Sequence, residues 1–272
     1  MPSSEKMFQE PKQAIIFKST KTTILLWYWP FGVKDNLEGD VCRERFGIQN
    51  CMLVDNQSQF SKADFVVFHH LEVGQWTTKV ALEPYTLLCT MSYRCDADIY
   101  VPYGSLIKEK DLGTEVKDLI PKGKTHFACW VVSNFLPNHK RTAVYKKLSN
   151  IIPIVVYGKA VGNRLDDQSL LPTISRCYFY LAFENSIYRD YITEKFWYNA
   201  FMGGAVPVVL GPPREQYEAV APKDFNSVEQ LGEFLKKLIE DRERYVSYFN
   251  WKLKYTVLTN YWIRSLCGGD LR

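Results

Sequence analysis

Cys177-Tyr-Phe-Tyr-Leu-Ala-Phe183-Glu-Asn-Ser-Ile-Tyr-Arg-Asp190-Tyr-Ile-Thr-Glu-Lys195-Phe-Trp-Tyr-Asn-Ala-Phe-Met202-Gly-Gly-Ala-Val206-Pro-Val-Val-Leu-Gly211 decides the fold. The apolar run Cys177 to Phe183 has the length of a buried strand. A polar segment from Glu184 to Lys195 follows, then Phe196 to Met202, apolar enough for one helix face. Gly203-Gly204 stops that helix, and Val206 to Gly211 reads as a second buried strand. Strand, loop, helix and strand make a βαβ unit, with the polar loop at the carboxyl end of a strand. Open α/β sheets bind ligands at that edge, beside helix N-termini that favour anions. A phosphate-bearing ligand is the first expectation for this loop.

Outward from this unit the same alternation continues. Thr23–Trp29, Cys51–Val54, Ala63–Phe68, Tyr85–Met91 and Ile99–Val101 read as strands in the first half, with a short helix within Gly39–Phe46. His126–Val132 and Ile151–Tyr157 read as strands in the second, with a basic helix over Lys140–Leu148. Val228, Leu231, Phe234, Leu235 and Leu238 fall on one face of a helical stretch from Ser227 to Trp251. The expected fold class is α/β, with two βα-rich domains facing across a cleft. Residues 1–21 form a polar lead-in, 22–105 and 126–255 the two domains, 106–125 a linker rich in charge with Gly113, Pro121 and Gly123, and 256–272 an irregular tail.

Composition narrows the function classes. With 46% hydrophobic and 24% charged residues in 272, the chain is globular rather than disordered. A net charge of +4 without a Lys/Arg stripe argues against nucleic acid and suits an anionic small ligand. No apolar run reaches the roughly 18–20 residues of a membrane span, and the first 13 residues lack the apolar core of a signal peptide, so the chain as written is expected to be soluble. Seven cysteines contain no CxxC pair and only four histidines accompany them, so no metal site is expected. Disulfides or buried thiols both remain open for the cysteines. Asn56-Gln-Ser58 is an N-glycosylation sequon, relevant in a luminal or secreted protein.

The dinucleotide, P-loop and nucleophile-elbow fingerprints are absent. Lys140-Arg141 follows Ser133-Asn134 near a helix start, where an arginine fork suits a diphosphate; spacing alone favours a solvated helix face. Lys195 and the helix amides suit a diphosphate, and Glu194 suits a sugar hydroxyl. His69-His70 end a strand, and Tyr103 sits in a Val-Pro-Tyr-Gly turn that could also serve as a stacking platform.

Together these residues resemble the α1,3-fucosyltransferases of glycosyltransferase family 10. The resemblance rests on Trp27-Tyr-Trp-Pro-Phe-Gly32, Ala63-Asp64, Phe68-His-His70, Ser92-Tyr-Arg94, Val101-Pro-Tyr-Gly104, Trp130-Val-Val-Ser-Asn134, Phe183-Glu-Asn-Ser186, Asp190-Tyr-Ile-Thr-Glu-Lys195 and Tyr248-Phe-Asn-Trp251. It implies a GT-B-like fold with an acceptor-side domain first and a GDP-fucose-binding domain second. It implies inverting transfer of L-fucose from GDP-fucose to the 3-hydroxyl of N-acetylglucosamine in Galβ1-4GlcNAc-type glycans on glycoproteins or glycolipids. No cofactor is required, and any divalent cation is non-essential. Members are Golgi proteins held by a single membrane anchor.

Carried over by motif, Arg141, Glu184, Asn185, Ser186, Tyr191, Glu194 and Lys195 bind the donor, and Tyr103 borders the cleft. The resemblance also pairs Cys129 with Cys177, and Cys42 with Cys267. Three stretches depart from the family pattern. Residues 71–92 are shortened where the catalytic base belongs, leaving Glu83 as its candidate. A strand is missing after Lys223. Asp270 stands where a second C-terminal cysteine is expected. These departures set the alternative expectation, a variant that binds GDP-fucose without transferring fucose.

Overall fold

The structure, a computed structural model, describes residues 21–29, 34–69, 90–108, 113–213 and 225–259. Its contacts divide the chain at Thr90/Met91 into two compact units.

The earlier unit is a parallel three-stranded sheet. β1 (Thr22–Leu26) lies between β2 (Cys51–Val54) and β3 (Phe65–Val67). Leu25, Leu26 and Leu53 are buried. Helix α1 (Val41–Phe46) connects β1 to β2; Asp40 caps its start by accepting from the Arg43 N–H at 3.2 Å, and Gly47 ends it at φ 69°. Cys42 and Cys51, from α1 and β2, bring their sulfurs within 2.8 Å. Cys42 is disulfide-bonded, while Cys51 is a buried free thiol. Cys267, expected to pair with Cys42, lies outside the described residues, as do Glu83, His70, most of 71–92 and Lys223.

The later unit is built on a four-stranded parallel sheet in the order β10-β9-β7-β8. Its strands are β7 (His126–Val131), β8 (Ile154–Tyr157), β9 (Cys177–Phe183) and β10 (Val206–Leu210). The β9 run is apolar throughout because both faces of this sheet are covered. Phe179, Leu181 and Phe183 join one core with Trp130, Leu148, Leu235 and Leu238. Tyr180 and Ala182 join a second with Phe196, Ala200 and Phe201. A disulfide links Cys129 of β7 to Cys177 of β9.

Helix α2 (Lys140–Leu148) has the predicted bounds and packs against α4 (Val228–Glu240). The expected single helix from Ser227 to Trp251 is broken at Asp241, which ends α4 and caps α5 (Arg242–Ser247) by accepting from the Arg244 N–H at 3.0 Å. Helix α3 (Asp167–Ser175), which carries Pro172 inside it and starts at an Asp166 cap, leads into β9. Phe196 to Met202, with Lys195, forms a π-helix (Lys195–Met202), a wide-turn geometry that concentrates at functional sites.

Two short strands alter the expected boundaries. β6 (Gly104–Lys108) pairs antiparallel with β11 (Tyr255–Thr259). The segment 91–108 therefore groups with the later unit, although the sequence suggested a boundary after 105. Residues 256–259, the start of the expected irregular tail, belong to strand β11. The tight pair β4 (Met91–Ser92) and β5 (Ile99–Tyr100) brackets the Tyr93–Asp98 turn.

Candidate active site

The carboxyl end of β9 delivers Glu184. Its backbone N–H continues the ladder to Leu210 O at 2.8 Å, so the side chain is fixed at the sheet edge. There a cavity of about 360 Å³ is lined by Lys140, Arg141, Glu184, Asn185, Ser186 and Leu210, among others. Four expected donor-site residues, Arg141, Glu184, Asn185 and Ser186, thus meet at one cavity. They come from the start of α2 and from the loop after β9, elements over 40 positions apart in sequence, and the parallel order of β7 beside β9 brings them together.

Arg141 is 3% exposed. It donates from Nη1 to Asn185 Oδ1 and from Nη2 to the Asn134 carbonyl, while its Nε is buried and finds no partner. Burial works against its charge, pulling its pKa down, and the nearby Glu184 opposes that. A buried guanidinium on a residue that lines a cavity is suited to an oxyanion.

Glu184, 4% exposed, accepts from the Thr193 backbone N–H at 2.8 Å and from the Thr193 hydroxyl at 2.9 and 2.8 Å. Lys195 Nζ lies 3.3 Å from the same carboxylate. Burial pushes the Glu184 pKa up, and Lys195 with the Thr193 bonds pulls it back. Lys195 Nζ also donates to Thr193 Oγ1 at 3.0 Å and to Glu194 Oε1 at 2.9 Å. The loop that carries these residues is held at two further points. Asp190 takes a positive φ of 63° and accepts from the Cys95 N–H at 3.1 Å. Trp197 Nε1 donates to Ile192 O at 3.1 Å.

Tyr191 stands beside this cluster in a triangle with Tyr93 and Tyr103, ring centroids 5.1 to 6.1 Å apart. Burial lifts the Tyr191 and Tyr103 hydroxyls to about 12, so both are neutral hydrogen-bonding groups at physiological pH. Sequence reasoning singled out Tyr103 and Tyr191 but passed over Tyr93 and Thr193. Tyr93 carries no charge pattern, although it lies in the quoted Ser-Tyr-Arg motif. Thr193 lies between residues with more obvious chemistry, and its position between two carboxylates was the available signal.

Asn56 is exposed and caps the turn that follows β2, accepting from the Ser58 N–H at 3.0 Å. Among the described residues, no group of three or more His, Cys, Asp or Glu side chains could hold a metal ion, and no helix is long and apolar enough to cross a membrane.

Comparison with known proteins fits this geometry. A family model described as glycosyltransferase family 10 (fucosyltransferase), C-terminal, matches residues 121–268, and one described as fucosyltransferase, N-terminal, matches 19–86. The human 4-galactosyl-N-acetylglucosaminide 3-alpha-L-fucosyltransferase 9 is 40% identical over 281 residues, covering 91% of this chain and 76% of the relative. Rat alpha-(1,3)-fucosyltransferase 7 is 39% identical, covering 90% and 73%. A crystal structure of an alpha1,3-fucosyltransferase with GDP-fucose shares the fold, with a TM-score of 0.53 at 18% identity over 90% of this chain and 86% of that one. With both family models matched in order and relatives at this identity along most of its length, the chain belongs to the glycosyltransferase family 10 fucosyltransferases.

Proposed function

We propose that this protein transfers L-fucose from GDP-fucose to the 3-hydroxyl of N-acetylglucosamine in Galβ1-4GlcNAc-type glycans of glycoproteins or glycolipids. The observation that carries the reading is the cavity at the end of β9, where the buried Arg141 meets Glu184, Asn185 and Ser186, with Lys195 Nζ 3.3 Å from the Glu184 carboxylate. In this reading Arg141 and Lys195 face the diphosphate, Asn185 and Ser186 line its pocket, and Glu194 and Tyr191 meet sugar hydroxyls. A base removes the acceptor 3-hydroxyl proton, and Glu83 is its candidate. The oxygen attacks the anomeric carbon from the side opposite GDP, the bond to the diphosphate breaks, and the configuration inverts. The two cations stabilise the charge on the departing GDP. The rest of the reading is action in the Golgi and a Cys42–Cys267 disulfide, both from the family, and a glycan on Asn56, from its sequon.

Incubating the purified protein with GDP-fucose and N-acetyllactosamine tests the proposal. Fucosylated product with release of GDP is the expected result. GDP binding without product would replace transfer with the binding-only alternative, for which the departures around 71–92 and after Lys223 are the motive. Equal use of GDP-mannose or a UDP-sugar would overturn the donor assignment.

A further inference from the structure

Lys195 has three N–H donors, and the structure accounts for each. One goes to the Thr193 hydroxyl at 3.0 Å, one faces Glu184 at 3.3 Å, and one goes to Glu194 at 2.9 Å. The first two partners are buried: Thr193 is 1% exposed and Glu184 is 4% exposed. The third is not, since the Glu194 side chain is 54% exposed. Thr193 is the hinge of the arrangement. Its hydroxyl has a single proton, which it gives to Glu184, and it accepts from Lys195 on a lone pair. Its backbone N–H binds the same carboxylate at 2.8 Å. Both Glu184 oxygens are thus occupied from within the protein, which leaves this carboxylate poorly placed to meet a ligand.

We propose that Thr193 and Glu184 are positioning residues that hold the Lys195 ammonium by two buried bonds, so that only its outward N–H, now on Glu194, is exchanged for a diphosphate oxygen. The proposal rests on the donor-site reading above and moves Glu184 from contacting the donor to aiming the residue that does. A lysine stem is flexible, and fixing its head beforehand removes an ordering cost from binding. Thr193 is suited to the task because a hydroxyl both donates and accepts, which valine of the same shape cannot do.

The test measures GDP affinity by titration calorimetry on the intact chain, with thermal melting of each variant alongside. Thr193→Val and Glu184→Gln should each weaken GDP binding about tenfold, the scale of a hydrogen bond to a charged group. Thr193→Ser, which restores the hydroxyl, should stay within about threefold of wild type while melting like Thr193→Val. In a Lys195→Ala background, Thr193→Val should cost nothing more, because residues that act through one another are not additive. Wild-type affinity in Thr193→Val, failure of serine to restore binding, or additive losses with Lys195→Ala would each overturn the positioning role. Unchanged GDP affinity in Lys195→Ala alone would instead remove the donor-site reading, and this inference with it.

Discussion

Arg141 of α2 donates to the Asn185 side chain at the end of β9, so the guanidinium plane is set by a residue 44 positions away. The Asn134 carbonyl holds the other terminal nitrogen. An arginine held in this fork keeps its orientation at the cavity wall without a ligand. Lysine has neither the planar fork nor the reach to both acceptors. Arg141→Lys should therefore raise the KM for GDP-fucose about tenfold or more, the loss expected for a charge-assisted hydrogen bond. Asn185→Ala should raise it less. Steady-state kinetics across GDP-fucose concentrations check the order, and an Arg141→Lys enzyme with wild-type KM would contradict it.

Gly104 permits a close approach between β6 and the π-helix. A Cβ there would lie 2.4 Å from Trp197 Cγ, well inside contact distance. Trp197 is buried and bonded through its indole N–H to Ile192 O, so it has little freedom to retreat. Gly104→Ala should destabilise the protein by about 1–3 kcal/mol, the cost of overpacking a filled core. A lowered melting temperature in Gly104→Ala is the readout.

Lys124 donates to three backbone carbonyls, Ser175 at 3.1 Å, Cys177 at 2.8 Å and Gly204 at 2.7 Å. Burial draws its pKa down to about 7, with the Lys252 charge adding to the effect, while three carbonyls in need of three donors favour the ammonium. With three N–H donors, the ammonium ties the end of α3, the start of β9 and the turn before β10. Lys124→Met keeps the stem and removes the donors, and should cost about 2–3 kcal/mol through the carbonyls left unmatched. Denaturant unfolding measures this loss.

Cys51 and Cys95 should differ in reactivity. Cys51 is buried, and burial pushes its thiol up to about 11. Cys95 is exposed. The thiolate is the nucleophile, so at pH 8 the Cys51 form that reacts is scarce as well as shielded. The sign is set by deprotonation: labelling of Cys51 rises as pH approaches 11. Timed iodoacetamide labelling with peptide mapping should find Cys95 modified first, and a faster Cys51 would contradict its burial.

What was legible in the sequence was whatever local pattern alone determines. Cys177–Phe183 and Lys140–Leu148 have the bounds that their apolar run and helical signals suggested. The loop from Glu184 to Lys195 was legible because polar residues sat between two strands whose burial was plain. The β6–β11 pair was not, since neither segment has a strong pattern and the pairing joins residues far apart in the chain. The break at Asp241 was hidden by helical periodicity that continues on both sides of it. Thr193 escaped because its hydroxyl gains its role only when the fold brings Glu184, nine positions earlier, against it.

That same β6–β11 ladder has a consequence for synthesis. Gly104 pairs with Thr259, so the later unit cannot close its antiparallel ribbon until translation has passed both. At about 5–20 residues per second, β6 waits on the order of ten seconds for its partner. Through that interval Gly104 to Lys108 presents unpaired backbone at an open strand edge, the kind of edge that neighbouring chains pair with. A nascent chain stopped before Tyr255 therefore keeps that edge open for as long as it is stopped.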